Sequence, residues 1–197
     1  MSKNFKWGTN PFDDTPVNIV LFVSRRKDNK NIKDFKERRR SFITHDTMDS
    51  EALHRGFMEF VYSGRPGEFC RCYYSVNERD PEAIHKAFLH YLIDTPNFNL
   101  CDVQPKLAAI ANTPECRKSR RWLFDFDIDD KAKVDEFVED LKKVDDTVKI
   151  TVRRTVHGYG VVISHGIDTR TIYEKWDKEL VGLKKDDLVL VEWATKE

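Results

Sequence analysis

The chain has 197 residues, 40% of them hydrophobic and 12% aromatic, enough to bury one real core with or without an extension. Its 34 Lys and Arg balance 34 Asp and Glu, so net charge points to no class of partner. No stretch approaches the roughly 18 apolar residues of a membrane span. The polar opening MSKNFKWGTNPFDDTP lacks the apolar centre of a secretion signal, and four cysteines without disulfide-dense spacing read as free thiols in a reducing, cytoplasmic setting.

In chain order, VNIVLFV (17–23) reads as a short buried strand. Residues 25–40 follow with nine Lys/Arg against three Asp/Glu, a loop or frayed helix whose charge suits phosphates as well as solvent. SEALHRGFMEFVY (50–62) has a mixed pattern read as a helix, SGRPG a turn, and EFCRCYYSVN an aromatic strand on which Cys70 and Cys72 share one face. Asp80 as N-cap and Pro81 at the first helical position start the next helix, with Ile84, Phe88, Tyr91 and Leu92 on its apolar side. Residues 94–119 are looser, punctuated by prolines, and end in the basic RKSRR, residues 117–121.

The last 77 residues pattern most clearly. WLFDFDI is a strand. KAKVDEFVEDLKKV is a helix capped by Asp129 or Asp130. TVKITVRR and YGVVIS are strands around a turn at HGY, DTRTIYEKWDKEL is a helix, and DLVLVEW is a final strand. The order β-α-β-β-α-β is the split βαβ plan, and the right-handed crossover rule makes 121–128 and 159–164 neighbours. The expected fold is therefore α+β, with an RRM-like core over 120–197 and an N-terminal α/β extension over 1–119 packed on it as one unit.

Chemistry concentrates in RRWLFDFDIDD. Alternation puts Trp122, Phe124, Phe126 and Ile128 on one face and Leu123, Asp125, Asp127 and Asp129 on the other, the open side of the sheet. Two carboxylates about 7 Å apart repel unless a cation lies between them. Mg²⁺ and Mn²⁺ take such ligands, commonly one or two carboxylates completed by substrate phosphates, so Asp125 and Asp127 are the expected metal ligands. Arg117, Lys118, Arg120 and Arg121 just upstream, and Arg153 and Arg154 at a strand end, are candidate phosphate contacts.

CYYSVNERD followed by RWLFDFDID resembles the archaeo-eukaryotic primase (primase-polymerase) superfamily over roughly residues 70–193, in the manner of its phage and plasmid members. The resemblance implies an RRM-like core, Mg²⁺ or Mn²⁺ on Asp125 and Asp127, and single-stranded nucleic acid and nucleotides as partners. Tyr74, Ser75, Asn77 and Arg79 match its upstream strand, adding Arg79 to the phosphate contacts. In the family's second motif, S-G-x-G-x-H, the histidine contacts nucleotide phosphates. This chain has TVHGYG, so Gly158 fits but Gly160 stands where the histidine belongs, with His157 and His165 on either side. A glycine there opens space for one of them or for a larger ligand. Asp186 or Asp187 would supply the third, acidic motif.

Three other readings stay open. The D-x-D-G-T nucleophile motif of haloacid dehalogenase-like phosphatases lacks its Gly and Thr here, and a nuclease on the same scaffold would need only DNA or RNA. A degenerate core binding single strands by stacking and phosphate contacts would need no metal.

Overall fold

The structure is a computed structural model and describes residues 15–197. The polar opening segment lies, but for its last two residues, outside them.

Two four-stranded antiparallel sheets carry the chain. The first has the order β2-β1-β3-β8, from β1 (Asn18–Ser24), β2 (Arg38–Thr44), β3 (Phe69–Ser75) and β8 (Leu188–Thr195). The second has the order β5-β6-β4-β7, from β4 (Trp122–Phe126), β5 (Ile150–Arg154), β6 (Tyr159–Ile163) and β7 (Val181–Lys184). The expected neighbours β4 and β6 pair directly, Trp122 opposite Ile163 and Asp125 opposite Gly160.

Helices cover both faces of the first sheet and one face of the second. Helix α1 (Glu51–Tyr62) starts on the Ser50 side chain and sets Leu53, Phe57, Phe60 and Val61 on Val20, Phe22, Cys70, Cys72 and Tyr74. Burial pushes the Cys72 thiol up to about 12, helped by nearby Glu192, so this buried thiol stays protonated. Helix α2 (Pro81–Asp94) starts at Asp80, whose carboxylate accepts the Glu82 and Ala83 amides, and packs with α3 (Val103–Ala111) on Val17 and Ile19. On the second sheet, α4 (Lys131–Val144), capped by Asp130, and α5 (Arg170–Lys175) cover Phe124 and Phe126, with Phe137 edge-on to both rings.

Four expectations are corrected. The final strand leaves the C-terminal sheet: β8 pairs with β3, from Phe69 opposite Thr195 to Ser75 opposite Leu188. The place beside β4 goes to Val181–Lys184, four residues too few to show alternation. The last strand thereby completes the first sheet. The helix expected over 168–180 stops at Lys175, because a turn built on Asp177, whose carbonyl accepts the Leu180 and Val181 amides, redirects the chain into β7. Arg38–Arg40 open strand β2 instead of lying in a loop or helix, their charges masking the strand pattern. The loose stretch holds α3, with Pro105 in its first turn, where an amide hydrogen has no helical partner anyway.

The open face of the second sheet meets the edge strand β8 of the first. Leu123 with Val162 packs against Val76, Val189 and Val191, so the side of β4 expected to be open is roofed by the first sheet. A polar clasp fastens this contact. Asn77 Nδ2 donates to the carbonyls of Arg121 and Lys185 and to Asp186 Oδ1, and its Oδ1 accepts the Ser119 hydroxyl and the Arg121 amide. Arg79, fully buried, donates Nη1 and Nη2 to the two oxygens of Asp186 at 2.9 and 2.7 Å. Removing one member of a buried ion pair costs about 3–5 kcal/mol. Asp186→Ala should therefore lower the unfolding free energy from urea titration by that much, while the double variant Arg79→Met/Asp186→Leu recovers most of it. A single-variant change below about 0.5 kcal/mol would show that the clasp does not hold the sheets.

Candidate functional site

Where the sheets diverge beyond Leu123 and Val189, they enclose a cavity of about 530 Å³. The floor is Leu123, Leu188, Val189 and Leu190. The second sheet contributes Asp125, Asp127, Thr155, His157, Gly160 and Lys184, and the first contributes Arg25, Lys27, Asp28, Lys30, Arg71 and Tyr73. One wall is thus acidic and the other basic.

Alternation along β4 builds the acidic wall. Phe124 and Phe126 turn into the helical core, which leaves Leu123 and Asp125 facing the first sheet. Asp127 follows the strand, its amide held by the Leu180 carbonyl at 3.2 Å and its side chain exposed. Lys184 Nζ lies 3.0 Å from Asp125 Oδ2 and 3.3 Å from Asp187 Oδ2. Burial alone would lower its pKa, but the two carboxylates outweigh that and raise it. The ammonium is therefore the cation that stands between these carboxylates.

Of the two histidines, His157 lines this cleft and His165 does not. His157 rides the turn between β5 and β6, closed by the Thr155 amide on the Gly158 carbonyl at 2.8 Å. Only glycine fits at 158, because a Cβ there would sit 1.9 Å from the Phe126 carbonyl oxygen. His165 lies past the other end of β6, bonded to Ser164 Oγ and to Asp145. The Thr147 hydroxyl and His165 hold the Asp145 carboxyl at about 2.

The upstream motif is structural throughout. Tyr74 donates its hydroxyl to the Asp46 carbonyl, Ser75 Oγ accepts the Ile19 amide, and Asn77 and Arg79 form the clasp. Arg79, expected to meet phosphate, has no exposed surface to offer one. Among the other basic candidates, Arg117, Lys118 and Arg120 do not line the cleft. Arg154 pairs with Asp129 and Tyr159. Arg121 and Arg153 border a second, smaller groove, paired with Glu78 and Asp49. Arg153 shares a row with Asp125 across the sheet, since both lie opposite Gly160.

The sequence reading missed Arg71, Tyr73 and Lys184, which only the packing of one sheet on the other brings to the cleft. It noted the charge of 25–40 without assigning a residue there. Compared with known protein families, curated proteins and solved structures, the chain matches none.

The space expected directly above Gly160 is tight. A Cβ there would meet Val189 Cγ2 at 3.1 Å and Leu123 Cδ1 at 3.3 Å. Gly160→His should therefore destabilise by about 1–3 kcal/mol through overpacking, measured by urea unfolding. Val189→Ala in the same chain should return part of that loss. Wild-type stability in Gly160→His would contradict the packing described.

Proposed function

We propose that the cleft is the active site of a metal-dependent enzyme acting on nucleotides or single-stranded nucleic acid, resembling a primase-polymerase core. The observation that carries this reading is the pair Asp125 and Asp127 facing a basic wall inside one cavity. The strand order β7-β4-β6-β5, all antiparallel, with α4 and α5 as crossovers, supports it as the pattern of a split βαβ unit.

No group of three or more His, Cys, Asp or Glu is placed to hold a metal among the described residues, so an all-protein cage is not what the chain offers. Two carboxylates on one cleft wall do fit Mg²⁺ or Mn²⁺ in the mode where phosphate oxygens and waters complete the shell. Asp125 and Asp127 would hold it, and it would supply charge neutralisation to a phosphoryl group. The chain's own part is positioning. The floor of Leu123, Val189 and Leu190 sets the depth of the ligand and displaces water, and the cations opposite orient its phosphates, which is most of what phosphoryl transfer needs.

A second reading, binding without turnover, draws on two observations. A Cβ at 160 would press on Val189 and Leu123, and Lys184 already neutralises Asp125. One assay separates the readings: protein, Mn²⁺, labelled single-stranded DNA and nucleotides, followed for extension or cleavage. We expect slow incorporation in the wild type, lost in Asp127→Asn together with at least about tenfold in Mn²⁺ affinity, or roughly 1.4 kcal/mol. Cleavage without nucleotides would make it a nuclease. Neither reaction, with strand binding intact, would favour the binding module.

A further inference from the structure

The basic segment after β1 has an internal order that its composition hides. Asn29, 3% exposed, is riveted to the first sheet: its Nδ2 donates to Ser24 Oγ and to the Arg25 and Phe69 carbonyls, and its Oδ1 accepts the Phe69 amide at 2.6 Å. Asp28 accepts Arg25 and Arg71 together at 2.7–3.3 Å. Burial pushes the Asp28 carboxyl up, but the bonds and charges of Arg25 and Arg71 outweigh it and hold the group below the ordinary range, so this anchor stays charged at neutral pH. Arg25, Asp28 and Asn29 are thus fixed. Lys27 and Lys30, between and after them, line the cleft exposed and have no hydrogen-bond or ion-pair partner among the described residues.

We propose that the turn over 24–30 is a prebuilt anion platform, on which Lys27 and Lys30 hold the polyphosphate chain of a nucleoside triphosphate opposite Asp125 and Asp127. This rests on the reading of the cleft as a phosphate-ester site and names its ligand. The lining holds five Lys/Arg against three Asp, an excess of two positive charges that a compact polyanion satisfies. The cavity, about 530 Å³ with a closed apolar floor, lies in the size range of small-molecule sites, whereas a strand needs a groove that runs on. Tyr73 and Leu190 supply apolar surface for a base. Because the turn is fixed before the ligand arrives, only two lysine side chains must be ordered on binding.

The test is calorimetric titration of the full chain with inorganic triphosphate, with dATP and with a single-stranded oligonucleotide, each in EDTA and in Mn²⁺. Wild type should bind triphosphate and dATP even in EDTA. Lys27→Ala/Lys30→Ala should weaken both by at least about tenfold with an unchanged melting curve, since both side chains are exposed. Asp127→Asn should bind triphosphate in EDTA at least as well as wild type and lose only the gain from Mn²⁺. Unchanged affinity in the double lysine variant, or no triphosphate binding by wild type, would overturn the proposal. So would loss of oligonucleotide binding with triphosphate binding intact, which would reassign the lysines to a nucleic-acid backbone. Lysine-dependent triphosphate binding that Mn²⁺ does not improve would support the platform while counting against the metal reading.

Discussion

The buried ion pair between Arg79 and Asp186, with Asn77 beside it, is the constraint on which the rest of the arrangement depends. It joins the end of β3 to the turn between β7 and β8, and Asn77 adds the segment that leads into β4. Three stretches far apart in sequence are thereby fixed at one point. The apolar contact of Leu123 and Val189 then sets the spacing of the sheets, and the cleft is the space left where they part. A buried pair of this kind contributes little net stability over an apolar replacement. Its consequence here is register, since shifting β8 by one residue would turn Val189 away from Leu123.

The cleft's electrostatics follow from which elements this register brings together. Asp125 lies on, and Asp127 just after, a strand whose other face is committed to Phe124, Phe126 and the helices. Lys184 comes from the neighbouring strand, where it bridges Asp125 and Asp187. Arg71 and the 24–30 turn come from the opposite sheet. A cation that enters near Asp125 competes with Lys184, and an incoming phosphate offers Lys184 another partner. Cation and anion should therefore favour each other's binding by simple charge exchange.

Much of the second half of the fold was legible because its signals are local. Asp130 before KAKVDEFVEDLKKV, and alternation through WLFDF and YGVVI, fix elements without reference to distant partners. The adjacency of β4 and β6 also followed, from handedness alone. What failed depended on non-local pairing. Nothing in DLVLVEW says which sheet it joins, and the four residues of β7 carry no period. The acidic pair was legible as chemistry, since two aspartates alternating with buried strand phenylalanines fit no apolar role. Arg79 was misread because the motif that placed it says nothing of burial. Lys27 and Lys30 could not be told from their neighbours in a run of like charges, because their distinction is that Asp28 and Asn29 anchor the residues around them and not these two.

The central claim is that the acidic pair and the lysine platform face one another across a single ligand site. Paramagnetic broadening by Mn²⁺ in the presence of inorganic triphosphate tests it most directly, read on the assigned amide spectrum of the full chain. The account predicts that residues 26–30 and 124–128 broaden together. Broadening confined to 124–128, with residues 26–30 unaffected at saturating triphosphate, would contradict it.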